Sequence, residues 1–333
     1  MQMKASFQPM RIMPELGSLL ALISLVFLFA NGVSAETRTW TSSTGSKIEA
    51  ELISFANNTI VLRSADGRRI TLPIHKLDPA DQAFVRELHT DKPVKVRVAA
   101  YNVEFGENTT PEEVGKMFKP YNFDIIGFNE VPDGDWTARV GKVLGMDHSY
   151  VGKISSANHK DKYKSILSRT PLQDTVEHEL RVKRGWNPAS AVRAVTEIDG
   201  ISIAFYSLHI AGTKRNEGHA YELVSGVLPK EETDRVIVLG DFNNNIGDAA
   251  MNKIEAAGMR PTWEDLKIDV SKEFTYNALD PQKNHGVIDH IFYSTRSNAR
   301  VTDGGIIELN KPLSDHKPVW AEIVFPKDLK KVK

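Results

Sequence analysis

The chain contains no cysteine. That excludes a disulfide framework, a thiolate nucleophile, a cysteine-ligated zinc and a lipidated cysteine, so any chemistry must come from oxygen and nitrogen side chains. An excess of one charge is missing too: 42 Lys and Arg face 43 Asp and Glu, for a formal net charge of -1. No global field draws the protein to nucleic acid or an anionic membrane, and polyanion binding would need local patches. Long apolar runs are also absent. Leu19 to Ala30 is about 12 residues, where a spanning helix needs roughly 20, so stable membrane insertion is not expected. What remains is 333 residues, 41% hydrophobic and 26% charged, a globular make-up with length for one large domain or two unequal ones.

Residues 1–35 read as a secretory signal peptide. Lys4 and Arg11 precede the apolar run, and Val33-Ser34-Ala35 offers small residues before a cut ahead of Glu36. Export without disulfides suits a bacterial periplasm or the exterior. From 36 to 90 the pattern is one of short strands: Thr39 to Thr41, Lys47 to Phe55, Thr59 to Arg63 and Arg69 to Pro73. Ser43-Thr44-Gly45, Asn57-Asn58 and Asp66-Gly67 separate them, and the last predicts a tight hairpin with positive φ at both central residues. Asp78 then caps a helix that begins at Pro79 and turns Phe84, Val85 and Leu88 inward. Through Arg38-Thr39-Trp40-Thr41, Ile48-Glu49-Ala50, Val61-Leu62, Leu72-Pro73 and Lys76-Leu77-Asp78, this stretch resembles the SLA-one-homology module. The resemblance implies a small SH3-like β-barrel with a protein or cell-envelope partner.

From 91 to 326 strands alternate with helices, and 327–333 is a basic tail. Val94, Val96, Val98 and Ala100 alternate with polar residues into Asn102, and Thr110 caps a helix opened by Pro111. Ile125 to Phe128, Ile201 to Leu208, Val236 to Leu239, Ile288 to Tyr293 and Val319 to Phe325 read as central strands. Polar residues sit at the ends of these runs in six motifs. They are Tyr101-Asn102-Val103, Asn129-Glu130-Val131, Leu208-His209-Ile210, Gly240-Asp241-Phe242-Asn243, Ile288-Asp289-His290 and Ser314-Asp315-His316.

Each motif has an ordinary explanation. Gly240-Asp241 could be a turn, Asn243 a helix cap, His209 a satisfied core histidine and Asp289-His290 an ion pair. Their joint occurrence argues otherwise, because several unpaired carboxylates at strand ends are destabilising unless a cation gathers them. Glu130 has no Lys or Arg beside it in sequence, and Asn243 falls on the side of Asp241 in an extended chain. His290, flanked by Ile291 and Phe292, is expected to point away from the site. Phosphodiester cleavage needs an activated water, neutralised phosphoryl charge and help for the leaving oxygen, which a carboxylate-held cation can supply in part.

In this order the motifs resemble those of the endonuclease/exonuclease/phosphatase superfamily, over about Val94 to Phe325. The resemblance implies a DNase I-like α+β fold, a four-layer sandwich of two packed sheets flanked by helices. It implies Mg2+ or Mn2+ held by Glu130, Asp315 and Asn102, and a catalytic set of His209, Asp241, Asn243, Asp289 and His316. Asp289 would fix the imidazole of His316, and His209 would contact the scissile phosphate. Asn102 and, from the Ser168-Arg169-Thr170-Pro171 turn, Arg169 would meet the substrate. Where the family usually has Gln before the metal Glu, this chain has Asn129.

The expected activity is that of an exported phosphodiesterase, a nuclease on DNA or RNA first, with a phospholipid- or inositol-phosphate-directed enzyme as the alternative. The clusters Lys160, Lys162, Lys164 and Arg181, Lys183, Arg184, with Trp186, are expected in loops that could track a nucleic-acid backbone. A calcineurin-like phosphatase would need Gly-Asn-His and Gly-His-x-His blocks that are not in the sequence. A two-carboxylate glycosidase leaves both Asp-His pairs idle. An envelope-binding protein acting only through the small barrel would not be expected to keep the whole polar set. A monomer is expected.

Overall fold

The computed structural model describes residues 37–56, 59–88, 93–183, 186–212 and 217–327. The leader at 1–35, the Asn57-Asn58 turn, Arg184 and the tail beyond Lys327 lie outside these residues. Contacts divide the chain into two compact units, with the boundary after Leu88.

The first unit is an antiparallel meander of β1 (Arg38–Thr41), β2 (Lys47–Ala56), β3 (Thr59–Ser64) and β4 (Arg69–Pro73), followed by α1 (Pro79–Leu88). Its core is Trp40, Ile60, Leu62, Leu77 and Val85. Asp78 caps α1 by accepting from Asp81 N at 2.7 Å. Among the described residues the sheet stays open. β1 has only four residues, and the chain beside it is bridged at Ser42 to Leu77, not to β4. The hairpin at Asp66-Gly67 differs from expectation. Only Gly67 takes a positive φ, +83°, in a three-residue loop closed by Ser64 N to Arg68 O at 3.0 Å.

The second unit begins with β5 (Val94–Asn102), α2 (Pro111–Phe118), β6 (Ile125–Val131), α3 (Trp136–Leu144), β7 (His148–Val151) and β8 (Tyr163–Ser168). It continues with β9 (Leu172–Leu180), β10 (Ala189–Ile198), β11 (Ile201–His209), α4 (Gly218–Glu222), β12 (Val236–Asp241) and α5 (Ala249–Ala256). Last come β13 (Met259–Pro261), α6 (Thr262–Leu266), β14 (Asp289–Ser294), β15 (Arg300–Ile306) and β16 (Val319–Phe325). One six-stranded sheet runs β15-β16-β5-β6-β8-β7, the other β13-β14-β12-β11-β10-β9.

Strand periodicity sorts the side chains into layers. Val96, Val98, Ile203, Phe205, Ile237 and Ile291 meet between the sheets. Ala99, Tyr101 and Phe128 pack outward on Val114 and Phe118 of α2 and Val140 of α3. Tyr206, Val238 and Phe292 pack outward on Ala220, Met251 and Ile254. The result is the four-layer DNase I-like sandwich. Parity continues into the polar ends: Asn102, His209, Asp241 and Asp289 share the inward side with the core residues two positions before or after them. Register does the rest, placing His209 beside Asp241 and Asp241 beside Asp289 across β11, β12 and β14, with Asn102 beside Asn129 on the facing sheet.

Candidate active site

The inward strand ends open into a cleft of about 360 Å³, lined by Glu130, His209, Asp241, Asn243, Asp315 and His316 among others. Asp241 is its centre. Its Oδ2 accepts from Asn102 Nδ2 at 2.9 Å, its Oδ1 accepts from Asn243 N at 2.8 Å, and its own N–H donates to Asn129 Oδ1 at 2.9 Å. Asn129 also donates from Nδ2 to Leu208 O at 2.8 Å, so it ties the two sheets together at the site. Burial, opposed by His316 and then reinforced by Asp289 and Glu130, pushes Asp241 up to about 7.

His316 Nδ1 lies 2.8 Å from Asp289 Oδ2, which leaves Nε2 near Asp241 Oδ2 at 3.7 Å and Asp315 Oδ1 at 3.9 Å. Burial disfavours its charge, but Asp289, Asp241 and Asp315 outweigh that and raise it to about 10. The Ser314–His316 loop is docked onto the end of β5. Ser314 Oγ donates to Asn102 O at 2.8 Å, and Asp315 N donates to Glu104 Oε2 at 3.1 Å. His209 is the opposite case. Burial, against the pull of Glu130, lowers it to about 3, so it is neutral. Its Nε2 sits 3.1 Å from Asn243 Nδ2 and 3.4 Å from Asp241 Oδ2.

Glu130 reaches the cleft by breaking strand parity. Ile126, Phe128 and Val131 all face outward, so Glu130 is an extra residue. The β6–β8 register jumps from Asn129–Lys164 to Val131–Tyr163, and Glu130 takes a φ of +52°. A bulge of this kind re-aims one side chain, here towards the site. Asn243 likewise does not continue an extended chain. Its φ is +51°, and it returns to Asp241 and His209 through a turn. Glu104 and Phe105, also on the cleft, have φ of +45° and +44°. Strained backbone concentrated at one place marks a site the surrounding fold has to hold in shape.

Other expectations need correction. Arg169 donates to Phe123 O at 2.7 Å and Asn122 Oδ1 at 2.8 Å, and it is not on the cleft wall; it braces a loop. Asn102 is buried against Asp241, donating to its Oδ2 at 2.9 Å, and its Oδ1 accepts from Glu104 N at 3.0 Å. Glu130 is paired after all, with Lys162 Nζ at 2.8 Å from Oε2. Lys164 is fully buried in β8, with Nζ donating to Ile154 O at 2.5 Å, and Arg181 is paired with Glu179 at 2.7 Å. Of these two basic clusters, buried Lys164 cannot track a polyanion, whereas Lys160 and Lys183 are exposed. His290 faces the outer layer as expected, accepting from Trp263 Nε1 at 2.9 Å and donating to Asn244 O at 2.8 Å.

The sequence reading did not assign Glu104, Phe105, Tyr276 or the Lys162–Glu130 pair to the site. Phe105, Trp186 and Tyr276 give the cleft three aromatic faces. Trp186 stands edge-on to His209 at 5.0 Å, and Tyr276 lies 5.0 Å from His316.

The donor set fits a divalent cation. Glu104, Glu130, Asp241, Asp289 and Asp315 outnumber Lys162 and His316, and Asp289 Oδ1 is buried without a partner among the described residues. Candidate ligand atoms of Glu130, His209 and Asp241 lie within 4.8 Å of one another, as do those of Asp241, Asp289 and His316. Asp315 and Glu104 are raised, by burial first and then by neighbouring carboxylates, which a hard cation would relieve.

A sequence model of the Endonuclease/Exonuclease/phosphatase family matches residues 99–316, and one of SLA1 homology domain 1 matches residues 31–93. A family protein from Bacteroides thetaiotaomicron is 22% identical, covers 72% of this chain and 98% of its own, and superposes with a TM-score of 0.58. A mannosyl-6-phosphatase from the same organism is 21% identical over 69% of this chain and 100% of its own, with a TM-score of 0.54. D. rerio TDP2, complexed with single strand DNA product, is 16% identical over 69% and 98%, with a TM-score of 0.54. At such identities the likeness is one of fold. No curated protein matches the chain. With well over half of its length matched and its polar strand ends gathered in one cleft, the chain belongs to the endonuclease/exonuclease/phosphatase family of phosphoester hydrolases.

Proposed function

We propose that this chain is a divalent-metal-dependent phosphodiesterase that acts first on unpaired nucleic-acid strands. The observation that carries the reading is the His316–Asp289 pair at 2.8 Å, with Nε2 turned towards Asp241 and Asp315 at the cleft. Glu130 and Asp315 would hold Mg2+ or Mn2+, which when bound neutralises phosphoryl charge and eases departure of the leaving oxygen. Asp241 Oδ2 takes the proton of the attacking water, and Asn102 and Asn243 fix that carboxylate. The doubly protonated His316 is a fixed positive charge and donor to a phosphoryl oxygen, its imidazole oriented by Asp289. Neutral His209, its Nε2 accepting from Asn243 Nδ2, stands at the position of the phosphate and shapes that side of the cleft. Phe105, Trp186 and Tyr276 offer stacking faces for bases, which supports unpaired over duplex strands.

A second reading has its own support. Among the described residues Lys162 is the one Lys or Arg lining the cleft, which is compatible with a small sugar- or inositol-phosphate substrate. The leader-like segment supports export, with a chain starting near Glu36 on N-terminal sequencing of exported protein. The small first unit is proposed to bind a protein or envelope partner.

The test is hydrolysis of bis-p-nitrophenyl phosphate by the purified chain, with and without EDTA. Activity that disappears with EDTA and returns with Mg2+ or Mn2+ supports the reading, and full activity in metal-free buffer overturns it. Single-stranded and duplex DNA, RNA and sugar phosphates then rank the substrates.

A further inference from the structure

Lys162 is held in an unusual position. Its ammonium touches Oε2 of Glu130 at 2.8 Å and lies 5.4 Å from the Phe105 ring centroid, and all three residues line the cleft. Its backbone is pinned on both sides. Lys162 N donates to Ser155 Oγ at 3.0 Å, and Ser156 N donates to Lys162 O at 3.0 Å. The segment before it is anchored in turn. Glu177 accepts from Ile154 N at 3.0 Å and from Ser190 Oγ at 2.7 Å, while buried Lys164 holds Ile154 O. With its backbone tied in this way, rotation of its own side chain is the simplest route by which this ammonium could leave Glu130.

A carboxylate oxygen holding an ammonium at 2.8 Å is a poorer partner for a divalent cation, because the two cations compete for it and repel each other. A lysine kept there for packing alone would help Glu130, since removing it leaves a nearly buried carboxylate unpaired. A lysine kept for the reaction would oppose metal binding and favour the phosphate. The placement fits the second case: the charge sits at the cleft wall beside an aromatic face, on a flexible stem, within a surplus of carboxylates.

We propose that Lys162 is a transferable countercharge, holding Glu130 before a divalent cation binds and moving to a phosphoryl oxygen of the substrate once the cation takes that carboxylate. The idea rests on the metal-dependent hydrolase reading above. It assigns a phosphate-binding role to a residue outside the six motifs.

The experiment is Lys162→Met, with Lys162→Gln as a second neutral variant and Lys162→Arg as the charge-keeping control. Mn2+ is titrated calorimetrically into each full chain, and kcat and KM are measured on bis-p-nitrophenyl phosphate. The neutral variants should bind Mn2+ about tenfold more tightly, the scale of one partly screened charge at this range. Their KM should rise by a similar factor, and Lys162→Arg should stay near wild type in both. Unchanged or weaker Mn2+ binding in folded neutral variants, or an unchanged KM, overturns the proposal. A wild type that takes up no Mn2+ and turns over no diester would instead sink the hydrolase reading, so the two failures are distinguishable.

Discussion

Of two histidines about one carboxylate, His316 is pushed towards the charged form and His209 towards the neutral one, and the difference lies in their neighbours. His316 is surrounded by Asp289, Asp241 and Asp315, while His209 has mainly Glu130 to offset its burial. His316→Ala should therefore lower kcat by about 10³-fold or more in a chain that still melts cooperatively, because the lost charge acts on the transition state. Asp289→Asn should be milder, since it keeps the imidazole and loses only its charged partner. Equal rates for wild type and His316→Ala at saturating metal would contradict this. His290, next to Asp289 in sequence, uses both ring nitrogens in the outer layer, and burial pushes it down to about 4. Its folded value lies below the unfolded 6.5, so the unfolded chain takes up this proton first. Its contribution to stability is unaffected above pH 6.5 and is lost as pH falls from 6.5 towards 4. A proton-coupled NMR titration should find the ring still neutral at pH 5.5; a ring half-charged at 6.5 would refute the burial argument.

At the scale of strands, most of the site was legible because side-chain parity is a property of sequence. Val96, Val98 and Ala100 announce the face of Asn102, and Ile291 announces opposite faces for Asp289 and His290. What failed to show was whatever depends on a break in parity or on distant chain. The bulge at Glu130 has no signature in Asn129-Glu130-Val131, and its partner Lys162 arrives from a loop 32 residues on. Lys164 read as a solvated loop residue because nothing local shows that Ile154 O and Ser156 Oγ close over it. β9 has no strand signature because Leu172-Gln173-Asp174-Thr175-Val176-Glu177-His178-Glu179-Leu180 is polar, as an edge strand can be. Gly240 shows how tightly the strand ends are packed. Its φ is +137°, and a Cβ there would lie 2.0 Å from Leu208 O. Gly240→Ala should cost about 3 kcal/mol in urea unfolding, from strain and overpacking together. A cost under about 0.5 kcal/mol would mean the strand end yields.

At the scale of the molecule, the two units have separate cores, one around Trp40 and Leu62, the others around and between the large sheets. A cation that binds only the folded second unit stabilises only that unit. At 100 times its Kd it would add about 2.7 kcal/mol. Calorimetry of the full chain should show EDTA lowering one transition and leaving that of the first unit in place. A shift of both by the same amount would show the units unfold together.

The bulge at Glu130 also bears on how the site could be lost. A strand is read in steps of two, so one inserted residue is a frame slip, and the carboxylate occupies the slipped position. Deleting Glu130 would bring Val131 into frame on the outward face it already occupies, whereas replacing Glu130 would keep the slip and its left-handed backbone. The deletion should retain a cooperative melt with no metal-dependent hydrolysis, and a chain that failed to fold would show that the slip is structural. A single codon would then separate a working hydrolase from a silent sandwich of the same shape.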